Sequence, residues 1–177
     1  MTDIPYLGQL EKGDCDNWLI SQPVAVKVLG DKKYRFILED YEQDENKEEY
    51  HQAIANFLTI DDTALKQAQS AIYQYYKDIE AMLDEDDIIK INNPNDIWNH
   101  IRMDGEPVIT RRPYGDKAIY VSLECECDWE PEHGLQIVFK QGLSINKVGS
   151  FDGHLSNADS YGDPNLENVV YYSLSDC

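Results

Sequence analysis

Residues 65–83 read LKQAQSAIYQYYKDIEAML. Within them Leu65, Ala68, Ile72, Tyr75, Tyr76, Ile79, Met82 and Leu83 recur at steps of three and four. That spacing stacks all eight on one face and predicts a long amphipathic α-helix of about five turns. Just upstream, Asp61-Asp62-Thr63 supplies side-chain oxygens for the first unpaired helical N–H groups and is read as the N-cap. Downstream, Asp84, Glu85, Asp86 and Asp87 would face the negative end of the helix dipole, so the helix is expected to stop near Leu83.

Working outward toward the N-terminus, residues 45–58 carry Tyr50, Ile54, Phe57 and Leu58 on one stripe and predict a second helix. On the other side, Asn95 or Asp96 is expected to cap a short helix holding Ile97, Trp98 and Ile101. Beyond these, both ends of the chain read as strands. Trp18-Leu19-Ile20 is a short apolar run. Val24, Val26 and Val28 alternate with polar or small residues after Pro23, and a Gly30-Asp31 turn leads to residues 34–38, the pattern of a β-hairpin. In the last third, residues 107–112, 118–127, 135–140 and 143–148 read as strands. Gln141-Gly142 is a tight turn, and residues 169–172 are a possible closing strand.

Strands, then helices, then strands predict an α+β fold rather than alternating βαβ units. The expected architecture is an antiparallel sheet from N- and C-terminal strands with a central helical segment. It is read as one domain over residues 1–177, with a β-hairpin part (1–42), a helical part (43–104) and a β part (105–177).

Composition removes several classes of function. Thirty-four acidic against 15 basic residues give a formal charge of −19 over 177 residues. Such a charge opposes nucleic-acid backbones and anionic membranes and attracts basic partners. Many acidic proteins carry such a charge for solubility alone. No apolar run is long enough to cross a membrane, and the Met1-Thr2-Asp3-Ile4-Pro5 start lacks a signal core, so a cytoplasmic protein is expected. The four cysteines, Cys15, Cys125, Cys127 and Cys177, do not form a disulfide framework. No phosphate loop, dinucleotide fingerprint or nucleophile elbow occurs.

Residues 124–135 concentrate the chemistry: Glu124, Cys125, Glu126, Cys127, Asp128, Trp129, Glu130, Pro131, Glu132 and His133, then Gly134 and Leu135. Phe151-Asp152-Gly153-His154 follows after a predicted hairpin whose ends return to one place. Three readings compete. A divalent metal could take Glu132, His133, Asp152 and His154, although no metal-binding helix or loop motif is present. Acid–base catalysis could use Glu132-His133 or Asp152-His154, but no nucleophile accompanies them, and Glu126 and Asp128 would raise rather than lower the Cys127 pKa. The third reading is structural: Pro131 and Gly134 shape a turn that buries Trp129. His51 and His100 lie in helical segments without evident partners.

The order of these features, above all Trp129-Glu130-Pro131-Glu132-His133-Gly134, resembles a bacterial domain family of unknown function marked by a Trp-(Asp/Glu)-x-Glu-His-Gly stretch. The resemblance implies a small α+β protein of the kind met beside toxin-like genes, and it carries no catalytic residues. The sequence therefore leads to the expectation of a non-enzymatic acidic binding protein without cofactor, of the immunity-type antitoxin kind, for a basic protein partner. Glu126, Asp128, Trp129, Glu130, Glu132, His133, Asp152 and His154 are its candidate contacts, with residues 84–87 as further acidic surface. The alternative is the divalent-metal-binding domain, with hydrolysis as the activity that cluster could support.

Overall fold

The computed structural model describes residues 2–84, 87, 89–173 and 175. Glu85, Asp86 and Cys177, which figured in the sequence reading, lie outside the described residues. The chain packs as two compact units. The first comprises Met1–Ala64, Glu106–Leu123 and Phe139–Ser144; the second comprises Leu65–Gly105, Glu124–Val138 and Ile145–Cys177.

In the first unit, β1 (Thr2–Ile4), β2 (Gly8–Lys12) and β3 (Trp18–Ser21) form an antiparallel meander. Strand β3 pairs with β6 (Ile37–Glu39), and β6 pairs in parallel with β8 (Val108–Arg111) through Ile37↔Val108 and Leu38↔Ile109. Strand β8 then runs antiparallel to the first half of β9 (Ile119–Cys127). The fold is therefore α+β with a mixed rather than purely antiparallel sheet. The parallel pair arises because the helical segment carries the chain back to the same edge before β8 begins.

The expected hairpin after Pro23 exists as β4 (Val24–Val26) and β5 (Lys32–Tyr34), a two-stranded ribbon outside the main sheet. Lys27–Leu29 curl into a 3₁₀ turn, so Val28 is buried in the turn instead of extending the strand. Phe36 separates β5 from β6 and is fully buried.

Helix α1 (Lys47–Thr59) matches the predicted stripe and buries Tyr50, Ala53, Ile54 and Phe57. The Phe57 ring meets Phe36 and Phe139 edge-on at 6.1 and 5.3 Å. Burial of each such side chain contributes about 2 kcal/mol. The predicted Gln141-Gly142 turn is present, with φ of 52° and 70°, the left-handed pair that a two-residue hairpin needs. Glycine is required at 142 on a second count, because a Cβ there would sit 2.2 Å from the Ala53 carbonyl oxygen.

The single long helix of the sequence reading is two helices, α2 (Asp62–Lys66) and α3 (Gln69–Glu80). Ala68 N–H bonds back to Leu65 O at 2.9 Å, a tight three-residue step that interrupts the α-helical ladder. The apolar phase survives the break, and Leu65, Ala68, Ile72, Tyr75 and Tyr76 are all buried. Asp61 is the expected cap, accepting from the Thr63 N–H at 3.0 Å. The helix ends before Met82 and Leu83, which are 62% and 43% exposed, not part of the core.

The rest of the second unit contains a 3₁₀ helix (Pro94–His100), β7 (Ile101–Arg102), the end of β9, most of β10 (Leu135–Lys140), β11 (Ser144–Gly149) and α4 (Asn157–Tyr161). The 3₁₀ helix is capped by Asn93 rather than Asn95 or Asp96, because Pro94 removes the N–H that would need a partner. Ile101 leaves that helix for β7, which pairs with β9 through Ile101↔Cys127 and Arg102↔Glu126, so a sheet strand lies inside the expected helical part. Residues 169–172 are not a strand; one ladder-like bond, Val148 N–H to Val170 O at 2.7 Å, holds them.

Candidate functional site

Alternation along β9 sorts the dense segment. Cys125 and Cys127 face inward and are buried, while Glu124 and Glu126 face out. Burial, foremost, pushes both thiols up to about 12. Raised in this way, neither thiol is an activated nucleophile at neutral pH.

Strand β9 ends in a network the sequence did not show. Asp128 accepts from Arg102 at 2.5 Å and lies 3.0 Å from His100 Nδ1. Its backbone N–H donates to His100 O at 3.0 Å. The Arg102 hydrogen bond, with His100 in support, holds the Asp128 carboxyl below the usual range. Glu126 also accepts from Arg102, at 3.0 Å. His100 is thus partnered, contrary to expectation, as is His51, whose Nε2 lies 2.8 Å from the Tyr41 hydroxyl. His51 Nδ1 also lies 3.4 Å from Glu48 one turn back on the same helix, a partner that helical spacing does signal, whereas Asp128 and Tyr41 lie farther along the chain and gave no such signal.

The turn that follows is built as the structural reading requires. Trp129 is 5% exposed and stands edge-on to Tyr75 and Tyr76 at 6.0 and 6.1 Å. The Glu130 carboxylate accepts from the Glu132 and His133 N–H groups at 3.2 and 2.9 Å, and its Oε2 lies 3.0 Å from His133 Nδ1. Gly134 closes the turn at φ 64°, where a Cβ would meet Cys125 O at 2.5 Å. Its carbonyl accepts from the Tyr75 hydroxyl at 3.0 Å. The Glu-x-Glu-His-Gly pattern therefore encodes a turn: an acid that ties two amides, then a glycine that lets backbone touch backbone.

Gly105 approaches β9 as closely, its virtual Cβ lying 2.5 Å from Glu124 O. With β9 between them, these two glycine-bearing loops leave an open groove of about 430 Å³. Asp104, Glu124, Glu126 and Glu132 line it, with Arg102 and His133. Arg102 is committed to Glu126 and Asp128. Asp104, Glu124 and Glu132 have no cationic partner among the described residues, so the groove carries a surplus of negative charge.

Of the proposed metal ligands, Glu132 and His133 do come together, but with Glu130: their ligand-capable atoms lie within 4.8 Å of one another. Asp152 and His154 do not join that group. The hairpin does return to one place, since Phe151 N–H bonds to His133 O at 3.3 Å. Asp152, however, is held by Lys147, a residue the sequence reading passed over. Lys147 is 2% exposed, and its ammonium donates to Asp152, to Gln136 Oε1 at 3.0 Å and to His154 O at 3.2 Å. Desolvation works to raise the Asp152 carboxyl, but the Lys147 hydrogen bond and charge outweigh it and leave the carboxyl lowered.

A family model described as Domain of unknown function (DUF6985) matches residues 6–155. Nothing among curated proteins and nothing among solved structures matches the chain.

Proposed function

We propose that this chain, which belongs to the domain family of unknown function DUF6985, is a non-enzymatic binding protein that captures a basic protein partner, in the manner of a bacterial immunity-type antitoxin. One observation carries the reading: Asp104, Glu124 and Glu132 line one groove with no cationic partner among the described residues. Lysine or arginine side chains of a partner would supply that charge. Exposed carboxylates speed encounter, and partial burial on docking strengthens the pairs that form. A cytoplasmic setting fits a protein whose described helices are none of them long and apolar enough to cross a membrane.

The test is growth rescue. The product of the gene beside this one is expressed alone and then with this protein. Toxicity relieved by co-expression, and restored by the double variant E124K/E132K, supports the reading. Rescue indifferent to those reversals, or association indifferent to salt, overturns it.

A divalent metal at Glu130, Glu132 and His133 is the second reading, favoured by their convergence. Against it, Glu130 already satisfies two backbone amides. A metal there raises the melting temperature on addition and lowers it with chelator; an unchanged melt removes this reading.

A further inference from the structure

We propose that residues 156–173 are a strap that seals the outer edge of β11, and that β11, once the strap is loosened, pairs edge to edge with β11 of a second copy of this chain. This goes beyond the acidic groove and does not depend on it.

Strand β11 pairs with β10 on one side and with no other strand among the described residues, which makes it an edge. Backbone groups point to alternate sides along a strand, so an edge offers every second N–H and C=O to whatever lies beside it. On β11 the Val148 N–H points outward and donates to Val170 O at 2.7 Å. Val169-Val170-Tyr171-Tyr172 has the composition of a strand, yet it does not form one. Side chains hold it instead. Asn157 donates to Val169 O at 2.8 Å and to Val170 O at 3.1 Å. Asp78, on α3, accepts from the Tyr171 and Ser173 hydroxyls, each at 2.7 Å. Asn146, on β11 itself, donates from its side chain to Leu155 O at 2.8 Å.

The two sides of this contact are unequal. Val148 and Gly149 on β11 are buried, whereas Val169, Val170 and Tyr171 stay half-buried. A segment that buries little of itself and has few ladder bonds opens at low cost. The strap also lies past the span matched by the family model, which ends at residue 155, while β11 lies within that span. An uncovered edge is a template for another strand. A second β11 fits it, because in antiparallel pairing a strand is its own complement across a twofold axis. The charge of −19 opposes the approach of two copies in general. Strand β11, however, reads SINKVG, with one lysine and no acid, so it brings no carboxylate of its own to that axis.

The experiment reads amide hydrogen exchange by NMR and mass by sedimentation equilibrium on the full chain, over a range of concentrations. D78A removes the acceptor that Tyr171 and Ser173 share, and Y171F/S173A removes the same two hydrogen bonds from the strap. In the parent protein the Val148 amide should be protected and the mass should stay at 20.4 kDa. In both variants at low concentration, the amides of Val148, Tyr171 and Tyr172 should exchange about tenfold faster. As concentration rises, both variants should approach twice the parent mass. Val148 should then become protected again while Tyr171 and Tyr172 stay fast. Unchanged exchange overturns the strap. A monomer at every concentration, or a dimer in which Val148 stays fast, overturns pairing through β11. So does association of the parent protein to the same extent as the variants. An effect of D78A that Y171F/S173A lacks places the change in α3 and overturns the proposal as well. No partner protein takes part, so failure here leaves the growth-rescue test of the acidic groove untouched.

Discussion

The two units each hold an open groove of about 430 Å³, and the two differ in how their charges are spent. In the first unit, Arg111 grips Asp44 with two hydrogen bonds, at 2.6 and 2.9 Å, and also donates to Glu49 and to Lys117 O. Asp116 beside it takes Lys140 at 2.6 Å. Ionised side chains there close on one another and fasten α1 to β8. In the second unit, Arg102 serves Glu126 and Asp128, while Asp104, Glu124 and Glu132 have no cationic partner among the described residues. Equal volume thus conceals opposite electrostatics. What marks a candidate docking site is the unmatched charge, since a groove whose charges are already satisfied gains little from a new ion pair.

Replacing each arginine tests that contrast most severely. R111M leaves Asp44, whose side chain is nearly buried, without its counter-charge and should cost about 3 kcal/mol of stability, read from chemical denaturation. R102M, at an exposed pair, should leave the denaturation midpoint close to that of the parent protein. Equal losses would break the comparison.

G134A comes next. It forces an alanine into left-handed backbone and a Cβ against Cys125 O, at a cost of about 2 kcal/mol. G153A, at φ 79° but with nothing within 4 Å of its virtual Cβ, should cost about 1 kcal/mol. If the two cost the same, close backbone approach is not the reason for the glycine that ends the Glu-His-Gly turn.

The acid limb of the stability curve sharpens the same contrast. Asp44 is held below the ordinary carboxyl range, first by the Arg111 hydrogen bond. A group lowered on folding contributes its full share above its unfolded value, about pH 4, and loses it as the pH falls through the lower folded value. R111M should therefore flatten the limb below about pH 4 while R102M changes it less. Melts recorded between pH 2 and 6 decide this.

The smallest expected effect on the fold is at the proposed site. E124K/E132K relieves like-charge crowding on exposed side chains and should change stability by less than about 0.5 kcal/mol, as thermal melts will show. The same variant should abolish salt-sensitive capture of a basic partner. A large stability loss would mean these carboxylates serve the fold, not a partner.

Legibility in the sequence followed range. The α1 stripe, the Asp61 cap, the strands from Val108 to Gly149 and the Gln141-Gly142 turn were all readable, because each depends on neighbours within a few residues. The α2–α3 break was not, since an unbroken period of three and four says nothing about a local tightening at Ala68. Strands β1 and β2 went unread for want of an apolar run, and the parallel β6–β8 pair joins residues about seventy apart. The 124–135 segment stood out by its density of acids, and its glycine and proline were readable as turn-makers. Asp104 and Gly105 were missed because they reach the groove only through the fold, and Asp152 was misplaced because nothing local announces Lys147 as its partner.

By itself, then, the sequence determined the class, the net charge of −19, the local elements and the turn chemistry of 129–134. These are properties of composition and short-range periodicity, which the chain carries whether folded or not. The tertiary structure alone decided which of the described acidic residues are paired and which line a groove. It also made Lys147 a buried clamp. Pairing is a matter of a few ångströms between side chains distant along the chain. Coulomb and hydrogen-bond energies are set by that separation and by burial, neither of which is written in the order of the residues.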